Sequence, residues 1–127
     1  MQRRDINAAD APAPAGQYTQ AVEATGVIRT LYLSGQVGVA ADGSIPEDAA
    51  SQSALAWRNL LAQLRAADMG IENLVKITTI VRDPADIAAV RSGRAAVLGT
   101  LRPASTLVVG GLSNPAWKVE VEGIAVA

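Results

Sequence analysis

The chain has 127 residues, with 11 Lys and Arg against 12 Asp and Glu, for a net charge of −1. That length suits a single domain, residues 1–127, burying roughly two thirds of its unfolded surface, and the scattered basic residues leave no footprint for a phosphate backbone. With neither Cys nor His, disulfides, thiolate nucleophiles, zinc–thiolate sites and imidazole bases are excluded together. Chemistry is left to carboxylates, Arg, Lys, hydroxyls, backbone groups and water. Half of the residues are apolar but none is Phe, so the core is expected to be built from many small aliphatic contacts. Met1 to Asp5 lack a signal peptide's apolar stretch, and no apolar run approaches the ~20 residues of a membrane span. The expectation is a cytoplasmic protein with no nucleic-acid or membrane partner.

In chain order, an N-terminal strand leads into a Pro/Gly/Ala-rich loop at residues 8–16. Tyr18 to Glu23 and Val27 to Leu33 then read as strands, broken at Thr25-Gly26, with a turn at Ala41-Asp42-Gly43-Ser44. From Pro46 the period changes. Ala50, Ala54, Trp57, Leu61 and Leu64 share one helical face, with Glu47 and Asp48 in the first turn and Gly70 as the expected cap. Val75 to Val81 alternates as a strand. Asp83-Pro84 opens a second helix with a capping Asp and Pro at the first position, expected to run to Leu98 and stop at Gly99. Thr106 to Leu112 and Trp117 to Val126 close the pattern as strands. The order is β-β-β-α-β-α-β-β, an α+β domain with helices on one face of a mixed sheet.

Two helices cover only one face of such a sheet. Leu107-Val108-Val109 is apolar at consecutive positions, so both of its faces ask for cover, and a second copy of the chain is the simplest cover. A homo-oligomer with ligand sites at its interfaces is therefore expected. Phosphate-binding loops, dinucleotide fingerprints and nucleophile elbows are absent, and Gly110-Gly111 reads as a bulge or close backbone approach. In the last strand Glu120 and Glu122 lie on one face, roughly 6.5–7 Å apart. By pattern alone they are either a solvated edge or the lining of a pocket, where burial could raise a carboxylate's pKa and let it handle protons or order a water.

A set of short motifs recurs along the chain: Gly16-Gln17-Tyr18-Thr19-Gln20-Ala21, Ser34-Gly35-Gln36, Asn59-Leu60 with Leu64, Val75-Lys76-Ile77-Thr78 with Asp83 and Asp86, Arg102-Pro103-Ala104-Ser105, and Val119-Glu120-Val121-Glu122 with Ile124-Ala125. In this order and spacing, from about Ala13 onward, the chain resembles the RidA family, also called YjgF or liver perchloric-acid-soluble protein. The resemblance implies a chorismate-mutase-like fold in a barrel-like homotrimer with pockets between subunits. It also implies hydrolysis of enamines and imines, such as 2-aminoacrylate and 2-aminocrotonate, to 2-oxo acids and ammonia, without metal or organic cofactor. By the same resemblance Glu120 positions the attacking water, Tyr18 and Ser34 line the pocket, and backbone groups near Thr106 and Leu107 face the ligand.

The chain's main departure from the family is at position 105. In deaminating members an arginine follows Pro-Ala and grips the substrate carboxylate; here that residue is Ser105, and Arg102 is not its replacement by register. A neutral hydrogen bond is worth ~1 kcal/mol net, against roughly 1.5–3 for one to a charged group. Arg91 and Arg94, one helical turn apart, are candidates for the missing cation, and Arg91 stands where pocket-contacting members tend to carry Asn. Gln17 also replaces the Pro of Gly-Pro-Tyr. The readings are an enamine/imine hydrolase with altered substrate choice, a non-catalytic metabolite-binding or sensing trimer, and an endoribonuclease. The last is disfavoured by the lack of His, of a basic patch and of aromatic surface for stacking bases.

Overall fold

A computed structural model describes the whole chain, residues 1–127. Its strands are β1 (Gln2–Ile6), β2 (Ala21–Thr25), β3 (Thr30–Val37), β4 (Leu74–Val81), β5 (Ala104–Val109) and β6 (Val119–Val126), with helices α1 (Ala49–Ala66) and α2 (Ile87–Leu98). The order matches the expected β-β-β-α-β-α-β-β. β1 and β2 form a separate antiparallel pair, while the main sheet runs β3-β6-β4-β5, with β4 and β5 parallel and the other pairings antiparallel. No helix is long and apolar enough to cross a membrane.

The core lies between this sheet and the two helices. Trp57, Leu60 and Leu64 of α1 pack with Val90 and Leu98 of α2 onto Leu74, Ile77, Val81, Val119, Val121 and Ala125 of the sheet, all buried. Alternation along β4 and β6 sends these sheet residues to the helix side and Lys76, Thr78, Ile80, Glu120 and Glu122 to the other.

Several boundaries differ from the sequence expectation for identifiable reasons. Asp48 is the N-cap of α1 rather than a first-turn residue, its carboxylate accepting from Ser51 N at 2.8 Å. That bond is the main cause holding its pKa below the usual carboxylate range. The buried face of α1 is Ala49, Gln52, Ser53, Ala56, Trp57, Leu60 and Leu64, one residue round from the apolar stripe; Ala50 and Ala54 are exposed. The rotation follows from two buried polar side chains that the apolar pattern omits. Gln52 Nε2 donates to Pro46 O and Ala116 O at 2.8 and 2.9 Å, and its Oε1 accepts from Lys118 N at 2.8 Å. Ser53 Oγ donates to Val90 O at 3.1 Å.

At its other end α1 closes without glycine. Asp68 adopts φ 55°, with Met69 N bonded to Leu64 O and Asp68 N to Arg65 O, the double closure of a left-handed cap. Gly70 lies beyond it in extended backbone. Asp83 and Pro84 open a short 3-10 turn that leads directly into α2, and Gly99 ends that helix at φ 57°. β2 and β3 begin about three residues later than expected; Gly16 to Tyr18 form a tight turn before β2, and Ile28 N and Arg29 N both donate to Ala127 O before β3. β5 begins earlier and stops at Val109. A β-carbon on Gly110 or Gly111 would meet nothing, so neither is a close approach, and nothing in the structure explains the pair.

The connection from β5 into β6 is held from both sides. Gln52 anchors Ala116 and Lys118, and the Arg82 guanidinium donates to the carbonyls of Leu112, Asn114 and Trp117 at 2.7 to 3.1 Å. These bonds set where β6, and with it Glu120, starts. Gln52→Leu keeps the volume but leaves three backbone groups without their partner, each costing ~1–3 kcal/mol when buried. The variant is expected to lose about 3 kcal/mol in a urea titration; a loss under about 1 kcal/mol would show that water replaces the amide.

Candidate active site

Residues 15–18, α2 and the edge strand β5 enclose a cavity of about 510 Å³. Tyr18, Arg91, Arg94, Ser105 and Leu107 all line it, and no carboxylate does. The register of the parallel pair explains the convergence. Ser105 and Leu107 stand beside Ile77 and Thr79, both on the helix side, so their side chains turn toward α2. Two further contacts close the wall: Gln17 Nε2 donates to Gly99 O past the end of α2, and Thr19 N donates to Pro103 O at 3.3 Å. Tyr18 is half-buried, and its hydroxyl accepts from Ala15 N at 3.2 Å.

The strand also presents backbone groups. Gly110 N donates inward to Val81 O, whereas Pro103 O accepts from Thr19 on the outer side. Alternate residues of a strand turn their N–H and C=O groups the same way, so Ser105 and Leu107 direct theirs to the outer edge, where Thr19 bridges Ala104 and covers the start of the strand, and Thr106 directs its own into the ladder. The Thr106 side chain lies on the opposite face of the sheet, where its hydroxyl accepts from Lys76 Nζ at 2.8 Å.

Arg94 is the unusual member of the cavity. Val90, Arg94 and Leu98 form the buried stripe of α2, so a guanidinium occupies a position whose spacing suits an apolar side chain. It is only 8% exposed. At the neighbouring Gly93 the two helices approach closely, since a β-carbon there would stand 2.6 Å from Ser53 Oγ. Arg94 Nη1 reaches Ser105 Oγ at 3.4 Å, longer than a good N–H···O bond, and its Nε is buried without a partner. The chain's two ion pairs, Arg3–Asp5 and Arg4–Glu23, lie elsewhere. Burial, and secondarily the charge of Arg91, push the Arg94 pKa below the ordinary arginine value, though a guanidinium remains charged near neutrality. Burying a cation costs several kcal/mol, and one long contact to a hydroxyl returns at most ~1 kcal/mol. Arg91, one turn earlier, is exposed on the same wall. Chemically, such an arrangement suits an anion.

Glu120 lies elsewhere. It stands opposite Ile80 on the face of the sheet without helices, in a small hollow of about 110 Å³ with Gly35, Thr78, Ile80 and Glu122. Any β-carbon on Gly35 would collide with the Glu120 carboxylate, so glycine at the bulge of β3 is what lets this side chain lie flat across the strand. Ser34 is exposed in the same bulge. The expected site residues therefore fall into two groups. Tyr18, Arg91, Ser105 and Leu107 share the cavity, while Ser34, Thr106 and Glu120 belong to the open face. β6 is an interior strand, so Glu120 cannot bend round the sheet to reach its own chain's cavity. One sequence signal separates Arg94 from Arg91: Arg94 lies four residues from both Val90 and Leu98, inside the apolar stripe. Arg102 turns back on its own backbone, donating to Gly99 O and Leu101 O at 3.1 Å.

Comparison with known proteins agrees with this architecture. The family described as Endoribonuclease L-PSP matches residues 8–127. A 2-iminobutanoate/2-iminopropanoate deaminase of Capra hircus is 34% identical over 126 residues, covering 98% of this chain and 90% of that one. The mitochondrial protein mmf2 of Schizosaccharomyces pombe is 35% identical over 113 residues, 87% of each chain. Among solved structures, a Rid-family protein from Yersinia pestis superimposes with a TM-score of 0.85 at 30% identity over the full length of both chains. Escherichia coli TdcF with bound serine gives 0.73 at 27% identity over 98% of each. With the fold, the ordered motifs and nearly the whole length in agreement, the chain belongs to the RidA family, the family of the L-PSP endoribonuclease description.

Proposed function

We propose that this protein hydrolyses enamines and imines of small 2-oxo acids to the carbonyl compound and ammonia, with a substrate choice altered at position 105. The observation that carries the reading is the cavity itself, which gathers Tyr18, two arginines and Ser105 with no carboxylate on its wall. The goat relative acts on 2-imino acids, as its name states, and such a substrate carries the anion this cavity suits.

Glu120 supplies the second half of the site from a neighbouring copy. Its separation from the cavity by its own sheet, and the exposed Tyr32 and Val108 on the open face, support assembly into a homotrimer with pockets between subunits. In that pocket the substrate carboxylate lies toward α2, with the Ser105 hydroxyl and the outward backbone groups of Leu107 alongside. An enamine first tautomerises to the imine. Water gives one proton to Glu120 as it adds to the imine carbon, and Glu120 passes that proton to the imine nitrogen; the hydroxyl of the resulting carbinolamine then yields its proton through Glu120 to the amino group, so the C–N bond breaks and ammonia leaves as the carbonyl forms. Arg91, exposed on the cavity wall, attracts the incoming anion. If Glu120 plays no part, the same cavity makes a metabolite-binding trimer, which binds the 2-oxo acid without turnover.

Imines released by an amino-acid oxidase from amino acids of increasing chain length test the reading. The protein is expected to accelerate ammonia release for at least one of them, in a rank order unlike that of an arginine-bearing relative, and Glu120→Gln is expected to lower the rate by roughly 10²-fold or more. No acceleration across the series would overturn the hydrolase. Arg91→Ala is expected to weaken 2-oxobutyrate binding about threefold at low salt and less at high salt, as exposed charges are screened. Unchanged affinity at low salt would remove Arg91 from the site.

A further inference from the structure

Resting on that reading, we infer that the anion-binding guanidinium has been transposed from the strand to the helix: Arg94 of α2 is the primary carboxylate receptor, and Ser105 is small because Arg94 occupies the space beside it. Three independent features meet at this point. The Arg94 side chain is buried and aimed into the cavity, with Nε unpartnered and no carboxylate within ion-pair distance. The register of β5 against β4 sends the position-105 side chain to the helix side, so a guanidinium carried at 94 or at 105 opens into the same volume. Arg94 Nη1 lies 3.4 Å from Ser105 Oγ, next to the point where Gly93 lets α2 approach Ser53 of α1.

The two positions are therefore coupled. An arginine at 105 beside Arg94 would put two like charges and two long side chains in one pocket, so restoring the family's residue alone is expected to be harmful. The carboxylate of a 2-imino or 2-oxo acid would accept two parallel bonds from the Arg94 guanidinium, with the Ser105 hydroxyl as a third donor. Its reacting carbon would point to the free edge of β5, away from the helix.

The test is calorimetric titration of 2-oxobutyrate and of its neutral amide into the full-length protein and its variants, with thermal midpoints recorded for each. Arg94→Gln is expected to weaken the acid by roughly tenfold or more, the scale of a charge-assisted bidentate pair, and to leave the amide unchanged. Arg94→Lys is expected to restore only part of the affinity, because an ammonium lacks the planar fork. Ser105→Arg alone is expected to weaken the acid, and Arg94→Gln combined with Ser105→Arg to return it to within about threefold of wild type. Arg94→Met is expected to hold or raise the thermal midpoint while abolishing acid binding, which a structural arginine would not do.

Acid affinity unchanged in Arg94→Gln, or a single Ser105→Arg that binds better than wild type, would overturn the transposition and leave the hydrolase standing. Arg94-dependent binding without imine hydrolysis would overturn the hydrolase and leave the transposition standing. A wild type that binds no 2-oxo acid would overturn both.

Discussion

A four-stranded sheet has two faces, and this chain owns only two helices with which to cover them. Because side chains alternate strictly along a strand, that shortage of cover sorts the chemistry before any site is formed. Val119, Val121 and Ala125 go to the helices, while Glu120 and Glu122 go to the bare face one residue away. Along β5 the same rule turns Ser105 and Leu107 to the helix side and Thr106 and Val108 to the other. The anion receptor and the carboxylate are thus made on opposite sides of one wall. Uniting them takes a second copy, which would cover the bare face at the same time.

The helix side carries a cost that the fold alone does not explain. Arg94 sits where an apolar residue would pack between Val90 and Leu98. A buried cation without a counter-charge is destabilising by several kcal/mol. Such a group is commonly found where stability has been exchanged for binding. Ser105, which looks like a loss when the strand is read alone, becomes the small residue that leaves this cation room.

Much of the architecture was legible because it depends on period and punctuation. The change from alternation to a helical repeat at Pro46, the alternation of Val75 to Val81, and the Asp83-Pro84 start all correspond to elements that form. The two differences in α1 have a physical cause: burial is not confined to apolar residues, nor the left-handed cap to glycine. Gln52 and Ser53 are buried because backbone groups satisfy them, which rotates the face of α1. Asp68 takes the left-handed position two residues before Gly70. In the site, the ordered motifs led to Tyr18, Ser105 and Glu120, but which of Arg91 and Arg94 is buried depends on the packing of α2 against α1. That is a tertiary fact, hinted at only by the stripe from Val90 to Leu98. The separation of Glu120 from the cavity required the strand order, since register and not residue type decides which face a side chain takes.

The most direct measurement of the central claim is a crystal structure of the assembled protein with 2-oxobutyrate bound. The account predicts the carboxylate on the Arg94 guanidinium at about 2.7–2.9 Å through two parallel bonds, with Ser105 beside it and Glu120 of a different copy facing the carbonyl carbon. A carboxylate held away from Arg94, or a Glu120 that faces only solvent in every copy, would contradict it.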